Sequence, residues 1–352
     1  MHEISAKQLY IMIFFIPLVF KMSSLPALLY EEAATTAYVL IGIVTTVEFL
    51  QMGLVLFVCS KGGLEGIKEK YGKKIYCLVA LPMLFIVFMK MLVLTQEITT
   101  YVSSFLFYNV AEKFITPLVL LVVFYLAIKG ARAIGRLFEL SIWFLPIIAV
   151  FGIFFGKIDM DATYLTPLFQ ETPATYLSAV TKYLIFTFDF SPLLFFSVKI
   201  KRRTPIALCS LLSILTVTTC FALLYCAYGN ASPYADCAFA RLATFNTIVS
   251  EIGGLDWPST LLWLVTAVLS LSLKIGAVHR FSDGLGTKRI GTFLFCLAIG
   301  ITLLTSVKTI ADALQVVTNG VQYSVFAAEI LLPVLVISLL SVRKKEDLCV
   351  AN

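Results

Sequence analysis

The sequence predicts an all-α integral membrane protein of ten transmembrane helices, built as a five-plus-five inverted repeat whose first and sixth helices are broken. Three observations carry that prediction. The chain of 352 residues is 60% hydrophobic and only 14% charged, where an average soluble domain carries ~25% charged residues. Its basic residues crowd into every second loop. Its prolines recur in matched positions about half a chain apart.

Hydropathy sets the spans. At a mean hydropathy of +0.95, a soluble fold would expose more apolar surface than water tolerates. A membrane span needs ~20 apolar residues. Runs of that kind lie near 8–30, 36–60, 77–100, 114–129, 137–156, 179–198, 205–228, 257–279, 290–307 and 320–342. This composition excludes soluble enzymes, secreted disulfide scaffolds, nucleic-acid modules and disordered regulators. One polytopic membrane domain over 1–352 remains, with a first repeat of about 8–156 and a second of about 179–342.

Charge orients the spans. Lys7, the 61–74 loop, the loops after the fourth, sixth and eighth spans and the tail at Arg343–Lys345 together hold 19 Lys or Arg. The opposite side holds four, Lys113, Lys157, Arg241 and Lys308. The positive-inside rule then places both termini in the cytoplasm. The net charge of +6 therefore belongs to loops beside a lipid bilayer and calls for no nucleic-acid partner. The first apolar run contains Lys21, lacks a small-residue cleavage site and leads into further spans, so it reads as span one and not as a signal peptide.

The prolines point to internal symmetry. Pro26 and Pro192 are 166 residues apart, Pro82 and Pro258 are 176, and Pro146 and Pro333 are 187. An odd number of spans per half inverts the second half relative to the first, as in many transporters. Two segments stand out as helix breaks: Lys21-Met22-Ser23-Ser24-Leu25-Pro26 in span one and Phe188-Asp189-Phe190-Ser191-Pro192 in span six. Proline removes a helical hydrogen bond and biases its predecessor away from helix. Interrupted backbone at membrane depth is tolerated where it lines a cavity. These segments are either the two walls of a ligand pocket or a pair of ordinary proline kinks.

Ionisable residues inside the spans sharpen the choice, because each is costly in lipid. Lys21, Glu48, Lys90, Asp189 and Glu329 fall near midplane, with Glu97 and Lys182 in the outer half and Lys274 in the inner half. Lys90 and Glu97 stand two helical turns apart and share a face of span three. Asp189 sits inside the second break, where its carboxylate could hold a ligand amine or a cation, or in the unliganded state face either Lys90 or Lys21. Lys90, Glu97 and Asp189 join Ser23, Ser24, Leu25, Pro26, Phe188, Phe190 and Ser191 as the candidate ligand-binding set. Lys21, Glu48, Lys274 and Glu329 read as charge partners or gating residues, with Lys21 and Glu48 a natural buried pair.

One outer connection is distinctive. From Pro233 to Gly254, Phe239, Leu242, Phe245, Val249 and Ile252 recur at helical spacing, with Arg241, Asn246 and Glu251 between them. That pattern predicts an amphipathic helix ending at Gly253-Gly254, lying on the outer membrane face, over the pocket or as a cap on the bundle. Eight cysteines lie singly, and His2 and His279 are far apart, so no disulfide framework, metal site or cofactor is expected. No phosphate loop or nucleotide fingerprint is present, and an enzymatic role has no support.

Several of these segments resemble one family. Ile4 to Leu9 ahead of span one, Leu25-Pro26, the lysine-rich loop around Tyr71-Gly72-Lys73, Phe190 to Pro192, the Arg241…Glu251 segment, Trp263 and Lys274 in span eight, and Pro333 with a short basic tail are similar to the B subunit of spore nutrient-germinant receptors. That family belongs to the amino acid–polyamine–organocation superfamily. The resemblance implies a pocket between spans one, three, six and eight for a small nutrient such as an amino acid. It also implies partner A and C subunits and a place in the spore inner membrane. Two positions depart from the family pattern: Val19-Phe20-Lys21-Met22 where glycine is usual, and Asp189-Phe190-Ser191 where Gly-Phe-Glu is more common. Apart from sensing, the same residues fit a proton- or cation-coupled amino-acid transporter or a structural scaffold for partner subunits.

Overall fold

The computed structural model describes residues 4–107, 110–145, 160–198, 200, 202–234, 257–307, 309–318 and 321–341. Among them the architecture is all-helical with no strand. One isolated parallel bridge joins Ile4 to Val198. The expected outer helix beyond Tyr234, the second half of span five and the basic tail lie outside the described residues.

The chain opens on a capping box. The Ser5 hydroxyl accepts from the Gln8 amide while the Gln8 side chain accepts from the Ser5 amide, and α1 (Ala6–Lys21) follows. It stops at Met22, and α2 (Leu25–Ala33) restarts with Pro26 in its first turn, where the missing N–H costs nothing. After α2 come α3 (Ala37–Ser60), a short helix α4 (Gly63–Tyr71) and α5 (Lys73–Tyr101). The 29 residues of α5 reach about 43 Å at 1.5 Å per residue, beyond the ~30 Å hydrocarbon core. The pair α6 (Glu112–Lys129) and α7 (Ala131–Ser141) bends by 113° at Gly130. Helix α8 (Pro173–Lys182) precedes the second break, and α9 (Thr204–Tyr228), α10 (Trp257–Leu285), α11 (Lys288–Thr305), α12 (Ile310–Thr318) and α13 (Val321–Ser341) complete the order.

Five segments among the described residues are long and apolar enough to cross a membrane, or six if the bent pair α6–α7 counts as one. Leu50, Leu78, Leu118, Leu211, Phe293 and Leu331 stand exposed on α3, α5, α6, α9, α11 and α13, an apolar belt suited to lipid and not to water. Burial separates centre from rim. In α10, 78% of the apolar stretch is enclosed by protein, against 17% in α9. Lipid tails are as apolar as leucine, so helices in a bilayer associate through close packing and polar contacts. One such contact is between α3 and α9, where a Cβ on Gly42 would lie 2.9 Å from the Thr218 Oγ1. Gly42→Val is expected to push the two helices apart and lower stability by ~1–3 kcal/mol, measurable as thermal unfolding in detergent.

Span six departs from its expected form. The sequence predicts a helix broken once, near Phe188–Pro192. In the structure α8 ends at Lys182, and Tyr183 to Val198 form no α-helix, only 3-10 turns at Leu184–Phe186 and Ser191–Phe195. The physical reason lies in the backbone partners. Pro192 has no N–H to give, Phe188 adopts a positive φ of 62°, and the Thr187 and Phe188 carbonyls are taken by a lysine ammonium. Lys182, expected inside the span, sits at the edge of the break, partly exposed and paired with Glu32.

Candidate ligand site at the two helix breaks

The two breaks are joined through one carboxylate. Glu48 on α3 accepts from the Lys21 ammonium through Oε2 and from the Asp189 backbone N–H through Oε1 at 3.0 Å. Lys21 ends α1 and Asp189 lies in the span-six break, so a single side chain ties both interruptions to α3. Lys21 also donates to the Pro17 carbonyl at 3.4 Å, a group of its own helix end.

A second set of contacts holds Asp189 itself. Its Oδ1 lies 3.5 Å from Lys90 on α5 and 3.2 Å from Lys274 on α10. Lys90 reaches Glu329 on α13 at 2.8 Å and donates to the Thr187 and Phe188 carbonyls. Lys274 also meets the Ser270 hydroxyl at 3.2 Å and stands 4.7 Å over the Phe20 ring, a cation–π contact that helps in a dry interior. These six ionisable side chains are at most 3% exposed. Three lysines and three carboxylates balance, as burial demands, because an unpaired buried charge costs several kcal/mol.

The break at Ser23-Ser24 faces a different carboxylate. The Ser24 hydroxyl and its backbone N–H, the latter at 3.4 Å, both donate to Oε1 of Glu97 on α5. Glu97 thus caps the N-terminus of α2. Its other oxygen, Oε2, and the neighbouring Ser23 hydroxyl form no hydrogen bond of ordinary geometry among the described residues. The helix N-terminus supplies about half a unit charge, worth at most ~2 kcal/mol to an anion. That falls short of the several kcal/mol that burying a carboxylate without a counter-ion costs.

Phe188 carries backbone strain at the centre of the second break. A bulky residue in the left-handed region costs ~1–3 kcal/mol and persists only where its surroundings hold it. Here its carbonyl accepts from Lys90 at 3.0 Å, and its ring packs 5.3 Å from that of Phe326. Phe188→Ala loses the ring and keeps the penalty, whereas glycine adopts this φ freely. Phe188→Ala is therefore expected to be less stable than Phe188→Gly by ~1 kcal/mol, the reverse of the usual order, in a denaturation series.

The fourteen sequence-derived residues fall into three groups. Lys21, Glu48, Lys90, Asp189, Lys274 and Glu329 form one connected network with Phe188 and Ser191. Ser191 enters it through Gln51, whose amide donates to the Ser191 hydroxyl at 3.4 Å and to the Glu329 carbonyl at 3.3 Å. Ser23, Ser24 and Glu97 form the second group. Leu25, Pro26 and Phe190 are buried packing positions: the Pro26 carbonyl accepts from Tyr225 at 3.0 Å, and Phe190 packs on Phe49. Asp189 meets Lys90 and Lys274, whereas Lys21, which sequence offers as an equal partner, is engaged by Glu48. Gln51 is missing from the sequence-derived set although it stands one turn from Glu48, at the i+3 spacing that shares a helix face. An apolar cavity of about 80 Å³ borders the first break, lined in part by Val19, Met22, Leu262, Trp263 and Thr266. Among the described residues no group of His, Cys, Asp and Glu could hold a metal ion.

No protein-family model matches the chain, and no curated protein matches it in sequence.

Proposed function

We propose that this protein is the membrane-embedded nutrient-sensing subunit of a spore germinant receptor, a ten-span inverted-repeat bundle that binds a small amino-acid-class ligand between its broken helices. The observation that carries the reading is the Glu48 bridge from Lys21 to the backbone of Asp189. It makes the two breaks one unit whose closed form depends on a few exchangeable polar contacts. A zwitterionic or cationic ligand competes for Asp189 with Lys90 and Lys274. A ligand that binds the open form better than the closed one shifts their populations by that difference. The signal passes to larger A-type and lipoprotein C-type partner subunits in the spore inner membrane.

A screen of amino acids by thermal shift on the purified chain tests this, since a bound ligand stabilises the fold by linkage. Stabilisation by one or a few amino acids, without uptake of the same compounds into proteoliposomes, is the expected result. Stabilisation with concentrative uptake would replace sensing by transport, and no response to any amino acid would remove the ligand site. Topology gives an independent check. Single cysteines introduced at 62 and 231 in a cysteine-free background are expected to be protected and labelled, respectively, by an impermeant reagent applied to intact cells, in keeping with cytoplasmic termini.

A further inference from the structure

We infer that Glu97 is a proton-binding site, occupied in the closed conformation, and that opening the first helix break releases its proton. The inference holds whether the protein senses its ligand or carries it.

Charge balance gives the first argument. Lys21, Lys90 and Lys274 are matched by Glu48, Asp189 and Glu329, so Glu97 is a fourth buried carboxyl with no countercharge left for it among the described residues. Among the described residues, the charged groups on the elements around α5 are committed elsewhere or stand at its far end, as Lys68 on α4 does beside Tyr76. Lys274 on α10 and Glu329 on α13 belong to the Asp189 network. Glu112 on α6 accepts from Gln96 and Thr100, and Asp312 on α12 accepts from the Thr309 amide. Asp189 in the span-six break is itself acidic, which disfavours a second anion nearby. The partial charge at the α2 N-terminus falls short of the burial cost, as derived above, and neutralisation by a proton is the usual outcome for such a group.

Hydrogen bonding gives the second. Oε1 already accepts two bonds from Ser24, the pattern of a carboxyl's carbonyl oxygen. Oε2 and the adjacent Ser23 hydroxyl are both buried and form no hydrogen bond of ordinary geometry to any described residue, so they are left to each other. A serine hydroxyl can donate or accept, so hydrogen bonding alone leaves the proton's owner open, and the missing countercharge decides it. A proton on Oε2 makes an O–H donor for which Ser23 is the acceptor at hand. Both of Glu97's donors and this acceptor belong to the break between α1 and α2. Moving α2 away from α5 therefore strips the acid of all three contacts, lets water in, and allows it to ionise.

Infrared difference spectroscopy on the purified full chain in lipid nanodiscs at neutral pH tests the assignment. The wild type is expected to show the carbonyl stretch of a protonated carboxyl that Glu97→Gln lacks and Ser23→Ala shifts. Glu97→Gln, a neutral isostere, is expected to fold, to melt with the wild type at acid pH, and to melt no lower than the wild type at neutrality. From the ordinary glutamate range up to about neutrality the wild-type melting temperature is expected to fall as pH rises, because unfolding releases the proton, and above that the contribution levels off; Glu97→Gln is expected to lack this slope. No band attributable to Glu97, or a Glu97→Gln protein that fails to fold, would overturn the inference. Stabilisation of the wild type by sodium over choline at equal ionic strength, absent from Glu97→Gln, would also overturn it by assigning the carboxylate to an alkali cation.

Discussion

Asp189→Asn is expected to be among the most destabilising single changes in this protein, at ~3–5 kcal/mol, the range for breaking a buried ion pair from one side. Asparagine keeps the shape and removes the charge. Among the described residues Lys274 then has only the Ser270 hydroxyl and the face of Phe20, whereas Lys90 keeps Glu329. That asymmetry makes the rescue specific. Asp189→Asn with Lys274→Met removes both members of the weaker-supported pair and is expected to recover most of the loss. Asp189→Asn with Lys90→Met is expected to recover little, because it leaves Lys274 unpaired, frees Glu329 and strips the Thr187 and Phe188 carbonyls of their donor. Equilibrium unfolding of the three variants in one detergent ranks them. Equal rescue by both lysine changes would contradict the geometry.

Glu48→Gln is the second large effect, again at ~3–5 kcal/mol, and it acts on both breaks at once. Glutamine Oε1 can still accept from the Asp189 amide, so the main loss falls on Lys21, which is left with the Pro17 carbonyl. Adding Lys21→Met is expected to restore stability, and the coupling energy of the pair should exceed the 0.3–0.5 kcal/mol or so within which independent sites add. Glu48→Leu is expected to be worse than Glu48→Gln even with Lys21→Met present, because it also orphans the Asp189 N–H at ~1–3 kcal/mol. If Leu and Gln proved equivalent in that background, Glu48 would serve only Lys21, and the bridge between the breaks would be absent.

The helical class and the position of the first break were legible because each rests on a local property. Apolar runs, Pro26 after two serines and the Lys21 interruption are all visible along the chain. The buried charged residues were legible for a similar reason, since few side chains within the apolar runs carry charge. Their partners were less so. Sequence offered Lys90 or Lys21 to Asp189, and only the tertiary arrangement shows that Lys274 from α10 takes part while Lys21 is held by Glu48. The extent of the second break was hidden too. Tyr183 to Phe186 read as ordinary apolar helix, and nothing local says that Lys90, from a helix almost a hundred residues earlier, takes the Thr187 and Phe188 carbonyls. Gln51 was passed over because an uncharged amide in an apolar run carries a weak signal, although its spacing from Glu48 placed it on the same face.

The central claim is that ligand and lysine compete for Asp189 between the two breaks. It is tested most directly by repeating the amino-acid thermal-shift screen on Asp189→Asn/Lys274→Met, the variant built to keep the fold and lose the latch. The account predicts a melting temperature close to that of the wild type and no stabilisation by the amino acids that stabilise the wild type. A double variant that responds to those amino acids as the wild type does would show that the buried network is a structural bridge remote from the ligand.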